Sequence, residues 1–222
     1  MGQNFKTIYK HAEIELFEKG SRFIGHAFPL ESEEAALGQI AALRKVHAKA
    51  HHNCFAYQIQ GIAGLARNDG IVRQSDDGEP SGTAGMPILD FIQKQGLRNI
   101  LLVVTRYFGG TLLGTGGLVR AYGRAAKEAA HAAIIIEKNL YQKFVITVPY
   151  ALGGKVEYEI RGQNHILTNI LYTDNISFEV LAEDARGLAL TKHITNITSA
   201  TANIANQGTV YCALVGGEYV IF

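Results

Sequence analysis

The sequence predicts an α+β chain in two domains, and three observations carry that expectation. Its 222 residues exceed the usual single domain and fall short of two large ones. Through about residue 138, strands and helices alternate around one continuous apolar run, "NILLVVTRY" (99–107), of the kind buried on both faces. From Leu140 the order becomes a regular βαββαβ, a ferredoxin-like split βαβ unit. The linker "EKNL" (137–140) sets the boundary, giving domains 1–138 and 139–222.

Each element has a local reason. Residues 5–29 read as two strands about "EKGS" (18–21), with Ile14 and Leu16 before the turn, Phe23, Ile24 and Phe28 after it, and Gly20 within it. Ser32 caps a helix that carries Glu33 and Glu34 where carboxylates favour the dipole, turns Leu37, Ile40, Ala41 and Leu43 inward, and ends near His47. "NCFAYQI" (53–59) is a strand, and residues 61–82, rich in Gly, Asp and Arg, predict a long loop of the functional kind. A helix capped by Ser81 or Thr83 follows, tolerates Pro87 in its first turn, buries Ile88, Leu89 and Ile92, and closes at Gly96. After the apolar strand, a glycine-rich link enters an Ala-rich helix from about Thr115 to Ile136. The second half reads as strands 141–149, 166–172, 175–182 and 200–214, with helices 152–163 and 184–196.

Composition excludes several classes. With 47% hydrophobic and 18% charged residues, the chain is neither disordered nor of low complexity. Net charge is +1, from 16 basic against 13 acidic residues through position 138 and 5 against 7 beyond, too even to announce a nucleic-acid binder in bulk. Cys54 and Cys212 sit in apolar strand-like runs far apart, which predicts buried thiols in a reducing compartment, the cytoplasm. The longest apolar runs, "ILLVV" and "AAIII", are too short to span a bilayer, no signal-peptide pattern opens the chain, and Lys6 stands where a myristoylation motif needs Ser or Thr. No membrane partner is expected.

Two segments carry chemistry. In "VVTRYFGGTLLGTGGLVRAYGRAAKEAA", Gly109, Gly110, Gly114, Gly116 and Gly117 let a ligand approach the backbone, and the helix that follows offers free N–H groups and a positive dipole end. It is neither a Walker loop, since no Lys-Ser/Thr follows Gly114, nor G-x-G-x-x-G, which fails at Val119. Arg120, Arg124, Lys127 and His131 recur at helical spacing, so they share a basic face, with Leu118, Tyr122, Ala125 and Ala129 on another. Such a stripe suits a phosphate backbone, or is simply a solvated face.

The other segment, "SDDGEPSGTAG" (75–85), packs Asp76, Asp77 and Glu79 into four positions. Carboxylates this close repel unless hydrogen-bonded, metal-bound or paired with arginine, for which Arg67, Arg73 and Arg106 are candidates. Asp-Asp-Gly-x-Pro is also ordinary turn chemistry. Because Arg106 ends the apolar strand, it emerges at the carboxyl end, where ligands gather in open α/β sheets, and the acidic loop and Arg106 are expected to form one cleft. His47, His51, His52 and Cys54 suggest zinc but lack a second ligand cluster, and Ser81 and Thr83 lack a nucleophile elbow.

The stretch "GMPILDFIQKQGLRNILLVVTRYFGGTLLG" (85–114), with "SDDGEPSGTAG" before it and "GTGGLVRAY" after, resembles the signature of the IMPACT/YigZ family over about residues 5–136. The second half is similar to the extra domain of its bacterial, YigZ-like members. The resemblance implies a ribosomal-protein-S-five domain-two-like α/β domain, followed by a ferredoxin-like domain similar to the last domain of elongation factor G. It also implies a regulatory role in translation, which eukaryotic relatives exert by competing for a protein partner.

The expectation is therefore a translation-associated, non-enzymatic protein without a cofactor that binds RNA or the ribosome. Arg106, Arg120, Arg124 and Lys127 would contact phosphates beside Gly109, Gly110, Gly114, Gly116 and Gly117. The alternatives are a metal-assisted hydrolase or phosphoryl-transfer enzyme using Asp76, Asp77 and Glu79, and a protein-interaction module whose acidic loop docks a partner in translation control.

Overall fold

A computed structural model describes residues 4–59 and 70–222. The chain divides into two compact units, Phe5–Glu137 and Lys138–Phe222.

The first unit runs β1 (Phe5–Ile8), β2 (Ala12–Glu18), β3 (Ser21–Pro29), α1 (Glu33–Val46), β4 (His52–Ile59), β5 (Ile71–Ser75), α2 (Gly85–Gln95), β6 (Ile100–Tyr107) and α3 (Thr115–Ala132). Its five-stranded sheet has the order β2-β3-β6-β4-β5, with every neighbouring pair antiparallel. The apolar run is the central strand, and the two-residue period of a strand splits it between two cores. Ile100, Leu102 and Val104 join Ile88, Ile92, Tyr122 and the alanines of α3, while Leu101 and Val103 join Ile40 and Leu43 of α1. Burial on both faces thus arises in an antiparallel sheet with helices on each side, not in a parallel one.

Small residues let α3 lie close. Ala121, Ala125, Ala126, Ala129 and Ala130 are buried, and a Cβ on Gly25 of β3 would stand 2.8 Å from the Ala125 carbonyl oxygen. In α1, Ser32 Oγ accepts from Ala35 N at 3.2 Å, as its position predicts. The buried line of that helix is Ala36, Ile40 and Leu43; Leu37 and Ala41, expected inward, are exposed. Gly96 closes α2 in the left-handed conformation.

Three expectations for this unit are corrected. The opening segment holds three strands, because a break at Tyr9–His11 separates β1 from the hairpin. Helix α3 ends at Ala132, before a reversal at Ile134 with φ +63, so its carboxyl end falls short of Ile136. Within the loop expected at 61–82, residues 71–75 pair with β4 as an edge strand; residues 61–69 lie outside the described ones.

Strand β7 (Ile135–Val148) starts in the last residues of the first unit, and the second unit continues with α4 (Tyr150–Gly162), β8 (Ile166–Tyr172), β9 (Ile176–Glu183), α5 (Gly187–Ile197), β10 (Asn203–Val215) and β11 (Glu218–Ile221). The order β11-β10-β7-β9-β8 contains the fourth-first-third-second arrangement of a ferredoxin-like βαββαβ sheet, extended by β11 at its edge. Phe144, Ile146, Phe178 and Val180 of the sheet pack on Val156 and Ile160 of α4 and on Leu190 and Ile194 of α5. Cys54 and Cys212 are free and buried. Among the described residues, no helix is long and apolar enough to cross a membrane.

Candidate functional site

A groove opens at the carboxyl end of β6, where the acidic loop meets the glycine loop and the start of α3, with no parallel sheet involved. The groove measures about 450 Å³ and is lined by Glu79, Arg106, Phe108, Leu112, Gly114 and Thr115, among others.

Its floor is one buried ion pair. Arg106 Nη1 donates to Glu79 Oε1 at 2.7 Å, and both residues are under 9% exposed. The same Oε1 accepts the Tyr122 hydroxyl at 2.7 Å and lies 3.8 Å from His52 Nε2. Arg106 Nη2 donates to Ser21 Oγ at 3.2 Å, the guanidinium stacks near Phe23 and Phe108, and its Nε is buried without a partner. A buried cation needs such compensation, since desolvating it alone would cost several kcal/mol.

The acidic loop divides its labour. Asp76 accepts from Gly82 N at 2.9 Å on one oxygen and from Ala84 N and Gly85 N at 3.0 and 2.8 Å on the other. It is therefore the cap of α2; Ser81 and Thr83 are not, and Thr83 Oγ1 donates instead to the Pro80 carbonyl. Burial raises the Asp76 pKa, but the three N–H bonds together outweigh it and hold the carboxyl below its ordinary value. Asp77 accepts from Asn53 N at 2.7 Å and pairs with Arg44. The single-cleft expectation thus holds for Glu79 alone: the carboxylates of Asp76 and Asp77 are engaged away from Arg106. Among the described residues, no three His, Cys, Asp or Glu side chains converge as a metal site would need. Of the other arginines proposed as partners, Arg73 sits 3.8 Å from Glu33, and Arg67 lies outside the described residues.

The histidines and Cys54 are similarly dispersed. His47 bonds Tyr107, His51 Nδ1 accepts from Phe108 N, and His52 Nδ1 meets the Asp77 carbonyl. Cys54 donates to the Asp76 carbonyl, and burial, with Glu79, Asp77 and Asp76 nearby, pushes its thiol up to about 12. It is a protonated packing residue and no nucleophile.

The glycine loop is tied down at one point. Gly109 N donates to Ser21 Oγ at 3.3 Å, and a Cβ on Gly109 would fall 1.9 Å from Gly20 C, so only two glycines let the hairpin turn and the loop touch. Gly110 and Gly114 have φ +85 and +70, conformations that glycine adopts at no steric cost. Gly114 precedes α3 without a side-chain cap, and no carboxylate lies in the first turn. Gly116 and Gly117 sit within that turn, and Arg120 Nη1 stands 3.4 Å from where a Cβ of Gly116 would be. Arg120, Arg124 and Lys127 are exposed, Arg124 pairing with Glu128 at 2.7 Å.

Sequence reasoning missed Arg44, Ser21 and the polar role of Tyr122. For Tyr122 a signal existed: a tyrosine on a buried helix face requires a partner for its hydroxyl. Arg44 and Ser21 gave none, because their partners are distant in sequence.

A family profile described as "Impact N-terminal domain" matches residues 19–130, and one described as "Domain of unknown function (DUF1949)" matches residues 146–201. The groove lies wholly within the first match, so the class defined is a two-domain protein whose site belongs to an Impact N-terminal domain. The chain belongs to the IMPACT family. IMPACT family member YvyE of Bacillus subtilis (strain 168) is 36% identical over 211 residues, 95% of this chain and 94% of that protein. IMPACT family member YigZ of Escherichia coli (strain K12) is 38% identical over 132 residues, 60% of this chain and 63% of its own length. A solved structure described as "Crystal structure of an hypothetical protein" superposes with a TM-score of 0.57 at 27% identity, covering 92% of this chain and 97% of that one.

Proposed function

We propose that this IMPACT family protein is a translation-associated regulator of the cytoplasm that acts by binding RNA or the ribosome through the glycine loop and the start of α3. The carrying observation is electrostatic. Arg120 folds back over Gly116, adding a cation to a helix end that is already positive, uncapped and free of carboxylates. That arrangement stores repulsion which an anion such as a phosphate relieves. Arg120 and Lys127 are the exposed phosphate contacts in this reading, Arg124 joins them when it leaves Glu128, and buried Arg106 shapes the groove beneath. Binding rather than catalysis is supported by the carboxylates, two of which are committed to backbone N–H groups.

The test is fluorescence anisotropy with a labelled RNA across a salt series. Binding at low salt, falling steeply with added salt, and an Arg120→Glu variant weaker by about tenfold with a smaller salt slope are expected. No binding at low salt, or an Arg120→Glu variant identical to the parent, defeats the reading. A protein-interaction module is the second reading, favoured by Leu112, 82% exposed beside the groove; a pull-down that survives nuclease would select it.

A further inference from the structure

We infer that the groove between the acidic loop and the glycine loop takes a single unstacked nucleotide, so that the RNA recognised is single-stranded; this rests on the RNA-binding reading above. The groove has two chemically different parts. One is apolar and accessible: Phe108 is 39% exposed, Leu112 82% exposed, and Pro80, Leu113 and Leu118 also line it. The other is the uncapped start of α3 at Gly114 and Thr115, with Arg120 beside it. A nucleotide has the same two parts, a flat base with apolar faces and an anionic phosphate.

A second observation, independent of the helix end, points to a ligand. Arg106 lines the floor, is 5% exposed, and leaves its Nε donor buried without a partner. A guanidinium held this way by Glu79 and Ser21 cannot swing out to solvent, so its buried, unpaired donor stays fixed beside the groove. Its Cζ also lies 5.5 Å from the centre of the Phe108 ring, and the His51 and Phe108 rings meet at 75°, so Phe108 has an aromatic and a cationic neighbour while it stays 39% exposed. Stacking on an aromatic platform tolerates any base, because every base has a π face. A duplex keeps its bases inside and offers only phosphates, so it could use the helix end but not the platform.

Anisotropy with a labelled single-stranded oligoribonucleotide, and with a blunt-ended RNA duplex of the same length, tests this at low salt. The parent protein is expected to bind the single strand at least several-fold more tightly. Phe108→Leu, which keeps an apolar side chain but removes the ring, is expected to lose about tenfold on the single strand and little on the duplex. Phe108→Tyr is expected to retain affinity, and Leu112→Ala, at a site too exposed to unfold the chain, to lose less than Phe108→Leu. Equal affinity for the two RNAs, or a Phe108→Leu variant unchanged on the single strand, overturns the inference while leaving salt-dependent, Arg120-sensitive binding intact. If neither RNA binds, the functional reading falls and the inference with it; a peptide that binds in their place and is weakened by Phe108→Leu would give the groove to a protein partner.

Discussion

Glu79 and Arg106, 27 positions apart, meet at 2.7 Å in the interior of the first unit, and Tyr122 closes on the same carboxylate oxygen. Removing one partner leaves the other charged and desolvated, which costs about 3–5 kcal/mol. Arg106→Met should therefore lower the urea midpoint of the full chain markedly, whereas Tyr122→Phe, which deletes one hydrogen bond, should cost about 1–2 kcal/mol. Equal midpoints for Arg106→Met and the parent would show that the pair contributes nothing to the fold.

Asp76 supplies the cap that α2 lacks locally. Asp76→Ala is expected to destabilise by about 2 kcal/mol at neutral pH, the upper range for a lost cap. Because the folded pKa of Asp76 is depressed, its contribution is present above its unfolded value and disappears as pH falls through the folded one. Thermal midpoints of Asp76→Asn and the parent should thus differ at pH 7 and converge in strong acid. A difference that persists unchanged at pH 2 would rule out the carboxylate as its source.

His26 is buried in β3, with both ring nitrogens unpartnered, His47 and His11 nearby, and Tyr107 bonded to His47. Burial first, and then those two histidines, lower its pKa to about 4. Glu13 Oε2 lies 3.4 Å from Nδ1, but that carboxylate is well solvated and does not offset the burial. The unfolded chain therefore binds a proton between about pH 6.5 and 4 that the folded chain refuses. Stability should fall through that window as pH drops, by at most about 1.4 kcal/mol per pH unit. His26→Leu should flatten this slope in a pH series of urea midpoints; a slope as steep as the parent's would place the titration elsewhere.

Two glycines of the same loop region should respond oppositely to alanine. Gly109→Ala drives a Cβ into Gly20 backbone and should lower stability, as backbone cannot swing aside. At Gly116 the nearest atom among the described residues is the end of the Arg120 side chain, so Gly116→Ala should be accommodated and should stabilise α3 by at most about 0.5 kcal/mol, the position lying in the first turn. Melting temperatures of the two variants decide this, and a destabilised Gly116→Ala would mean that the helix start is held more tightly than described.

Elements with a strong local signature were legible in the sequence. The apolar run of β6, the Gly96 stop and the βαββαβ order of the second unit each rest on neighbours within a few residues. What escaped depends on distance along the chain. Ser81 and Thr83 have the right chemistry for a cap at the right place, yet Asp76 wins because the loop folds back on the helix, and no local rule sees that fold. Edge strands β5 and β11 are short and draw order from a neighbouring strand rather than from their own pattern. Within the site, Arg106 and the acidic loop could be brought to one edge because Arg106 ends the apolar strand. Which of three carboxylates would reach the guanidinium could not, since adjacent positions differ by direction and not by distance.

The abutment of Gly20 on Gly109 bears on how the gene can be edited. Most hairpin turns accept added residues, because their tips meet only water. The turn at Lys19–Gly20 cannot, since anything inserted there must displace the neighbouring loop along with itself. Gly216 and Gly217, between β10 and β11, have open space where a side chain would go. An epitope or fluorophore attachment sequence spliced at 216–217 should leave a working protein, while the same cargo at 19–20 should not.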